Sequence, residues 1–380
     1  MRKRKLVRIA VGIFLVILVS GFLGGGWFAS NLLRDGGLIP DHTPDELDLV
    51  IEDIGSGLIT LRATELTDRD GDWNDKALSG LMGDDFYLQI GETVEESGDI
   101  VVRKLLTEAS SDLTGRSVRT DAKFYPDDPL VAHGMAFTEV TYASELGEFP
   151  AWFVDGDSST WAIFVHGKSS DRREALRTLP VIAKSGMPML VISYRNDEDT
   201  VSDPSGMYGY GLTEWEDLEG AVLYALDNGA RRIVLVGYSM GGGIVASFLL
   251  ESSLASQVSG AILDSPMLDF GATVELGAEE DGYPVFIGKM AKLFSGFRFG
   301  VDWDSLNYLD RADELALPIL LFHGTEDHRV PISTSQSLAA QRPRLVTYVE
   351  FPGVDHVRGW NADRDAYESA VSDFLKSITR

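Results

Sequence analysis

The chain contains no cysteine, which excludes disulfides, thiolate metal sites and cysteine nucleophiles. That absence assigns no compartment, because an exported protein can do without disulfides. No acidic residue precedes Asp35, and basic residues are scarce beyond it: Arg2, Lys3, Arg4, Lys5, Arg8 and Arg34 are six of only 33. Residues 35–380 therefore hold 27 basic against 59 acidic side chains, a net −32 within an overall −26. A surface of that sign repels phosphates and anionic headgroups, so nucleic acid is not an expected partner.

The 380 residues, 44% of them hydrophobic, suffice for two domains or one large domain with an appendage. From Ile9 to Leu33 no residue is charged. As a helix these 25 residues would span roughly 37 Å, enough to cross a hydrocarbon core of about 30 Å. The basic tip Met1-Arg2-Lys3-Arg4-Lys5 ahead of the run orients the N-terminus to the cytoplasm and the remainder outside. A cleaved signal peptide is the alternative, but Gly24-Gly25-Gly26 and Phe28-Ala29-Ser30 match a small-residue cleavage site poorly. Residues 1–34 are thus expected to form a basic tip and a transmembrane helix, leaving a single-pass protein in the cell membrane with its globular part extracytoplasmic.

Residues 35–130 alternate short apolar runs with turn signals: Leu58-Ile59-Thr60-Leu61, Asp70-Gly71-Asp72, Phe86-Tyr87-Leu88-Gln89-Ile90 and Ile100 to Leu106. Glu95-Glu96-Ser97-Gly98-Asp99 reads as a hairpin turn. A small β-rich membrane-proximal domain is expected, serving as a spacer or packing over one side of the site. It ends at the link Tyr125-Pro126-Asp127-Asp128-Pro129. His133 beyond it reads as structural.

From residue 131 to 380 strands and helices alternate. A hairpin is expected at Phe137 to Tyr142 and Phe149 to Val154. Strands follow at Thr160 to Val165, Met189 to Ser193, Ile233 to Val236, Val258 to Leu263, Ile319 to Phe322 and Val346 to Phe351. Helices are expected near Arg172 to Ser185, over Thr213 to Asn228, Gly241 to Leu250, Ile332 to Gln341 and Asn361 to Lys376. This is the pattern of an α/β fold, a mostly parallel sheet covered on both faces, with its site at the carboxyl ends of the strands.

Gly237-Tyr238-Ser239-Met240-Gly241 matches G-x-S-x-G between a buried strand and a core helix, the context in which a serine is forced into a sharp turn and presented as a nucleophile. A Cβ at either flanking glycine would meet neighbouring backbone. His166-Gly167-Lys168-Ser169-Ser170 follows another strand, so an oxyanion hole is expected from the backbone N–H of Met240 and of Lys168, with Ser169 as competitor. His166 precedes the serine and reads as a loop-shaping residue, since the order Ser, acid, His puts the base last. Asp327 in Gly324-Thr325-Glu326-Asp327-His328 is the expected acid, with Glu326 and Asp264 as alternatives, and His356 in Gly353-Val354-Asp355-His356 is the expected base.

With these residues in place, the chain from about Phe137 onward resembles the α/β-hydrolases, in their serine esterase and peptidase branch. GYSMGG resembles the nucleophile elbow, HGKSS the oxyanion loop, HGTEDHRVP the acid loop and GVDH the histidine loop. The resemblance implies hydrolysis of carboxylic esters, thioesters or peptides through an acyl-serine intermediate, with no metal or organic cofactor and a small acyl substrate as partner. Haloalkane dehalogenases of the same family carry an aspartate where Ser239 stands, which argues against that chemistry. An acyltransferase using the same three residues and a non-catalytic binding protein on this fold are the alternatives. The resemblance also implies a cap inserted between Pro266 and Leu317, at about residues 267–316. Phe286, Ile287, Met290, Leu293, Phe294, Phe297 and Phe299 would give it an apolar face, either to bind an acyl chain or to pack the cap on the body. The polar stretch from Arg195-Asn196-Asp197-Glu198 to Gly211 is expected to line the mouth or to be solvated.

Overall fold

The computed structural model describes residues 2–67, 72–74 and 76–379. Helix α1 (Arg2–Leu33) runs into a single π-helical turn, Arg34–Leu38. Of the structure, Arg8–Leu38 is long and apolar enough to cross a membrane, a property that a signal sequence near the N-terminus shares.

Six strands follow: β1 (Leu49–Gly55), β2 (Leu58–Ala63), β3 (Ser79–Met82), β4 (Tyr87–Ser97), β5 (Ile100–Leu105) and β6 (Ser117–Asp121). They close into a barrel in the order β1-β2-β5-β4-β3-β6. The period-two pattern explains the closure, since alternate residues such as Leu49 and Ile51, Ile59 and Leu61, and Val101 are fully buried inside it. The β4–β5 hairpin turns where expected, Ser97 pairing with Ile100. Of the turn expected at Asp70-Gly71-Asp72, residues 70 and 71 lie outside the described residues.

The rest of the chain comprises α2 (Pro129–His133), β7 (Thr138–Ala143), β8 (Glu148–Val154), β9 (Thr160–Val165), α3 (Leu179–Ala183), β10 (Met189–Ile192), α4 (Glu214–Asp227), β11 (Arg232–Tyr238), α5 (Met240–Glu251), β12 (Val258–Asp264), α6 (Phe270–Glu280), α7 (Val285–Phe299), β13 (Ile319–Gly324), α8 (Ile332–Gln341), β14 (Val346–Phe351), α9 (Gly359–Ala362) and α10 (Arg364–Ile378). Eight strands form one sheet in the order β14-β13-β12-β11-β9-β10-β8-β7. Pairing is parallel from β14 to β10 and antiparallel across β8 and the β7–β8 hairpin. Side chains alternate between two apolar layers: Leu235, Leu263 and Leu321 pack with α4, α5 and α8, whereas Val236, Ile262 and Phe322 pack with α3 and α10.

Two sequence expectations are revised in part. The insertion between Met267 and Ala316 contains α6 and α7, and the expected packing on the body holds for Phe299, which lies against the core of the sheet. Met290 and Phe294 lie on α1, while Phe286, Leu293 and Phe297 are exposed. Glycines on α1 permit that contact, because a Cβ at Gly26 would stand 2.1 Å from the Phe294 ring. The stretch after Arg195 is neither mouth nor solvated loop at its root. Arg195 is buried, with Nε 2.7 Å from Asp217, Nη1 3.2 Å from Asp203 and Nη2 3.0 Å from Glu216. Three carboxylates around one guanidinium satisfy the charge that burial would otherwise leave exposed to a low dielectric.

The barrel is tied to the loop that follows β14. Asn361 Nδ2 donates to Leu78 O at 2.8 Å and to Ala122 O at 2.9 Å, and Leu78 N donates to Asn361 O at 3.0 Å. Arg177 Nη1 donates at 2.7 Å both to Asn361 Oδ1 and to Val357 O. Replacing Asn361 with Ala should destabilise the protein by about 2–3 kcal/mol, because three hydrogen bonds go and the buried Arg177 loses a partner. Urea unfolding measures this, and a loss below about 0.5 kcal/mol would show the tie to be incidental.

Candidate active site

The turn between β11 and α5 has no space for side chains on either flank. A Cβ at Gly237 would lie 2.7 Å from Gly241 O, and one at Gly241 would lie 2.2 Å from Val165 O. Ser239 takes the strain, with φ 50° and ψ −117°, a region that non-glycine residues occupy at a cost of about 1–3 kcal/mol. Its N–H donates to Asp264 O at 2.9 Å and its carbonyl accepts from Gly242 N and Met267 N, so the strained turn is held by backbone bonds.

Ser239, Asp327 and His356 come together at the carboxyl ends of β11, β13 and β14. His356 Nε2 is 2.8 Å from Ser239 Oγ, and His356 Nδ1 is 2.7 Å from Asp327 Oδ2. The other carboxylate oxygen, Asp327 Oδ1, accepts from Arg329 N at 2.9 Å and Val330 N at 2.8 Å. Burial would push the Asp327 carboxyl up, but its electrostatic interaction with His356 and hydrogen bonds from His323 and His356 hold it well below the usual carboxylate range. Acid and histidine loops are also bonded to each other, His328 N donating to Asp355 Oδ1 at 3.0 Å and Glu326 N to Val354 O at 3.0 Å.

Of the alternatives, Glu326 is exposed. Asp264 accepts from Tyr367 Oη at 3.1 Å, and burial raises it to about 6. The sequence reading missed His323, a fully buried imidazole whose Nε2 lies 3.1 Å from Asp327 Oδ2 and whose Nδ1 lies 2.7 Å from Ser335 Oγ. It stands in the quoted HGTEDHRVP motif, near the end of an apolar strand.

The loop after β9 faces the serine: a Cβ at Gly167 would stand 3.1 Å from Ser239 Cβ. Gly167 N donates to Glu174 Oε2 at 2.8 Å and Ser169 N to Tyr208 Oη at 3.3 Å. The N–H of Lys168 has no partner among the described residues, so of the two competitors Lys168 keeps a free donor. Met240 opens α5, where first-turn N–H groups lack intrahelical acceptors. The arrangement can move a proton from Ser239 Oγ to His356.

His166 shapes this loop. It is buried and stacked on Tyr194 at 4.5 Å, with Nε2 2.8 Å from Asp197 Oδ2 and Nδ1 3.0 Å from Gly167 O. Burial alone would lower its pKa, but the Asp197 carboxylate and the Gly167 carbonyl outweigh it and the net shift is upward. A histidine raised above its unfolded value of about 6.5 stabilises the fold fully below that pH and loses the contribution as pH rises through the folded value. The difference in melting temperature between wild type and His166→Gln should therefore be largest near pH 6 and shrink toward pH 9. A constant or widening gap would contradict the ion pair.

The cavities of about 330 and 420 Å³ open at the amino-terminal ends of the strands, beside Trp161 and Pro188 and beside Val258 and Pro318, away from these residues.

No protein-family profile matches the chain. It is 23% identical over 270 residues to the uncharacterized protein YfhR of Escherichia coli K12, covering 68% of this chain and 85% of that protein. To the uncharacterized protein YqkD of Bacillus subtilis it is 22% identical over 229 residues, covering 58% of this chain and 73% of that one. Among solved structures, the Pyrococcus furiosus esterase Pf2001 superposes with a TM-score of 0.53 at 20% identity, covering 67% of this chain and 98% of that one. Over about two thirds of its length the chain thus has the α/β-hydrolase fold.

Proposed function

We propose that this protein is a membrane-anchored serine hydrolase that cleaves carboxylic esters, thioesters or peptides. The observation that carries the reading is the hydrogen-bonded series Ser239 Oγ, His356, Asp327 at the strained turn, with His356 within 2.8 Å of both partners. The esterase fold of Pf2001 supports the same reaction class. Ser239 Oγ attacks the acyl carbonyl carbon while His356 Nε2 takes its proton, and Asp327 holds the tautomer and steadies the imidazolium that forms. The carbonyl oxygen becomes an oxyanion, which the N–H groups of Met240 and Lys168 receive. Collapse breaks the bond to the leaving group, which departs with the proton from His356. Water, deprotonated by His356, then attacks the acyl-serine, and the serine oxygen leaves with that proton to restore the hydroxyl and release the acid. Helix α1 is the anchor in this reading, its basic tip in the cytoplasm and the barrel and sheet outside.

A fluorophosphonate probe should label the protein and Ser239→Ala should abolish labelling; undiminished labelling of that variant would sink the assignment. Asp327→Asn should keep the fold and lower kcat by about 10³ to 10⁴ on a p-nitrophenyl ester. Protease added to intact cells should remove the globular part, whereas full protection would place it in the cytoplasm.

A further inference from the structure

Helix α7 carries three stripes. Gly288, Ala291 and Ser295 are buried. Met290, Phe294 and Arg298 turn to α1: the Met290 methyl would meet a Cβ at Gly25, the Phe294 and Phe22 rings are 5.5 Å apart, and the Arg298 guanidinium stacks 3.5 Å over Trp27. Arg298 Nη1 also donates to Trp27 O at 3.1 Å, Ser30 Oγ at 2.6 Å and Asn31 Oδ1 at 2.9 Å. The third stripe is open, with Phe286, Leu293 and Phe297 all exposed and Phe297 at 89%. At about 100° per residue the open stripe is centred opposite the buried one and beside the stripe that rests on α1.

An apolar ridge facing away from the body marks an interaction surface. Its neighbour identifies the occupant. The stripe next to the open one rests on α1 through Phe22, Gly25, Gly26 and Trp27, so the ridge adjoins the helix that is long enough to cross a membrane. Two helices locked together from Phe22 to Asn31 share their surroundings. Trp27 with Arg298 at the far end of the pair is the combination that settles at a membrane–water interface. Ahead of α7, at the end of α6, Glu280 lies 3.3 Å from His328 Nδ1.

The same elements reach both rims of the serine site. His328, the partner of Glu280, adjoins Asp327. The chain leaving α1 is fastened over the loop after β9: Gly36 O accepts from Lys168 Nζ at 2.6 Å, Gly37 O from Tyr210 Oη at 2.7 Å and Leu38 O from Tyr208 N at 2.8 Å. The end of the membrane helix and the groups around Ser239 are thus one loop apart. We propose that α7 lies in the interfacial layer of the bilayer beside α1, and that Ser239 draws its substrate, a long-chain acyl ester of an amphiphile, from that bilayer. The substrate half rests on the serine-hydrolase reading; the placement of α7 does not.

The full chain in phosphatidylcholine vesicles tests both halves. Because the protein has no cysteine, Phe297→Cys takes a single environment-sensitive fluorophore, which should be quenched severalfold by nitroxide-labelled phosphatidylcholine. A label at Ser253→Cys, on the opposite end of the sheet, should not be quenched. An unquenched label at residue 297 overturns the placement. The combined Phe286→Ser, Leu293→Ser and Phe297→Ser variant should hydrolyse soluble p-nitrophenyl acetate within about twofold of wild type and lose at least tenfold on a palmitoyl ester dissolved in the vesicles. No loss, or equal loss on both esters, overturns the substrate half. If wild type and Ser239→Ala turn over neither ester differently, the hydrolase reading fails instead, and the quenching result still decides where α7 lies.

Discussion

The closeness of helix α5 to strands β9 and β11 constrains everything at the reactive end of this sheet. Val165 O occupies the position where a Cβ of residue 241 would stand, and Gly241 O crowds residue 237 in the same way. The chain can pass only with glycine at both places, and the reversal of direction falls on Ser239. Strain of about 1–3 kcal/mol at one residue is small against the burial of Ile233 to Val236 and of Ile244, Val245 and Phe248 on either side. The hydroxyl is therefore presented by the packing of the turn together with the backbone bonds of Ser239.

That hydroxyl would face nothing useful without the far loops. Asp327 accepts from two backbone N–H groups and stands between His323 and His356, so its carboxylate has one available orientation. The histidine loop is held from behind by Arg177 on Val357 O and by Asn361, which reaches across to the barrel at Leu78 and Ala122. The barrel is thus a brace for the loop bearing His356.

The charge distribution and the helix pair at the N-terminus act together. A body of net −32 is repelled by anionic headgroups, so the bilayer placement proposed above rests on apolar contact, through α1 and the outer stripe of α7. Lys168 joins this end to the loop after β9 by holding Gly36 O with its side chain, while its own N–H has no partner among the described residues.

Much of this was legible in the chain. Period-two and buried-strand patterns placed the sheet strands to within a residue or two, and the elbow glycines followed from the sterics of a sharp strand-to-helix turn. Ser239, Asp327 and His356, which the fold brings within hydrogen-bond distance, were readable because each follows an apolar strand, where local pattern and position in the fold coincide. What local pattern could not show depends on residues far apart in sequence. The barrel's closure requires β1 to pair with β6, and the apolar side chains of α7 divide between α1 and the open. Arg195 opens a polar stretch yet is buried among three carboxylates, and nothing local to His323 shows that it touches Asp327. A sequence determines which side chains are apolar, strained or charged; only the tertiary structure decides which neighbour, 154 to 283 positions away in the cases of His42 with Asn196 and Leu78 with Asn361, satisfies them, because burial and pairing are properties of the assembled packing and not of any one segment.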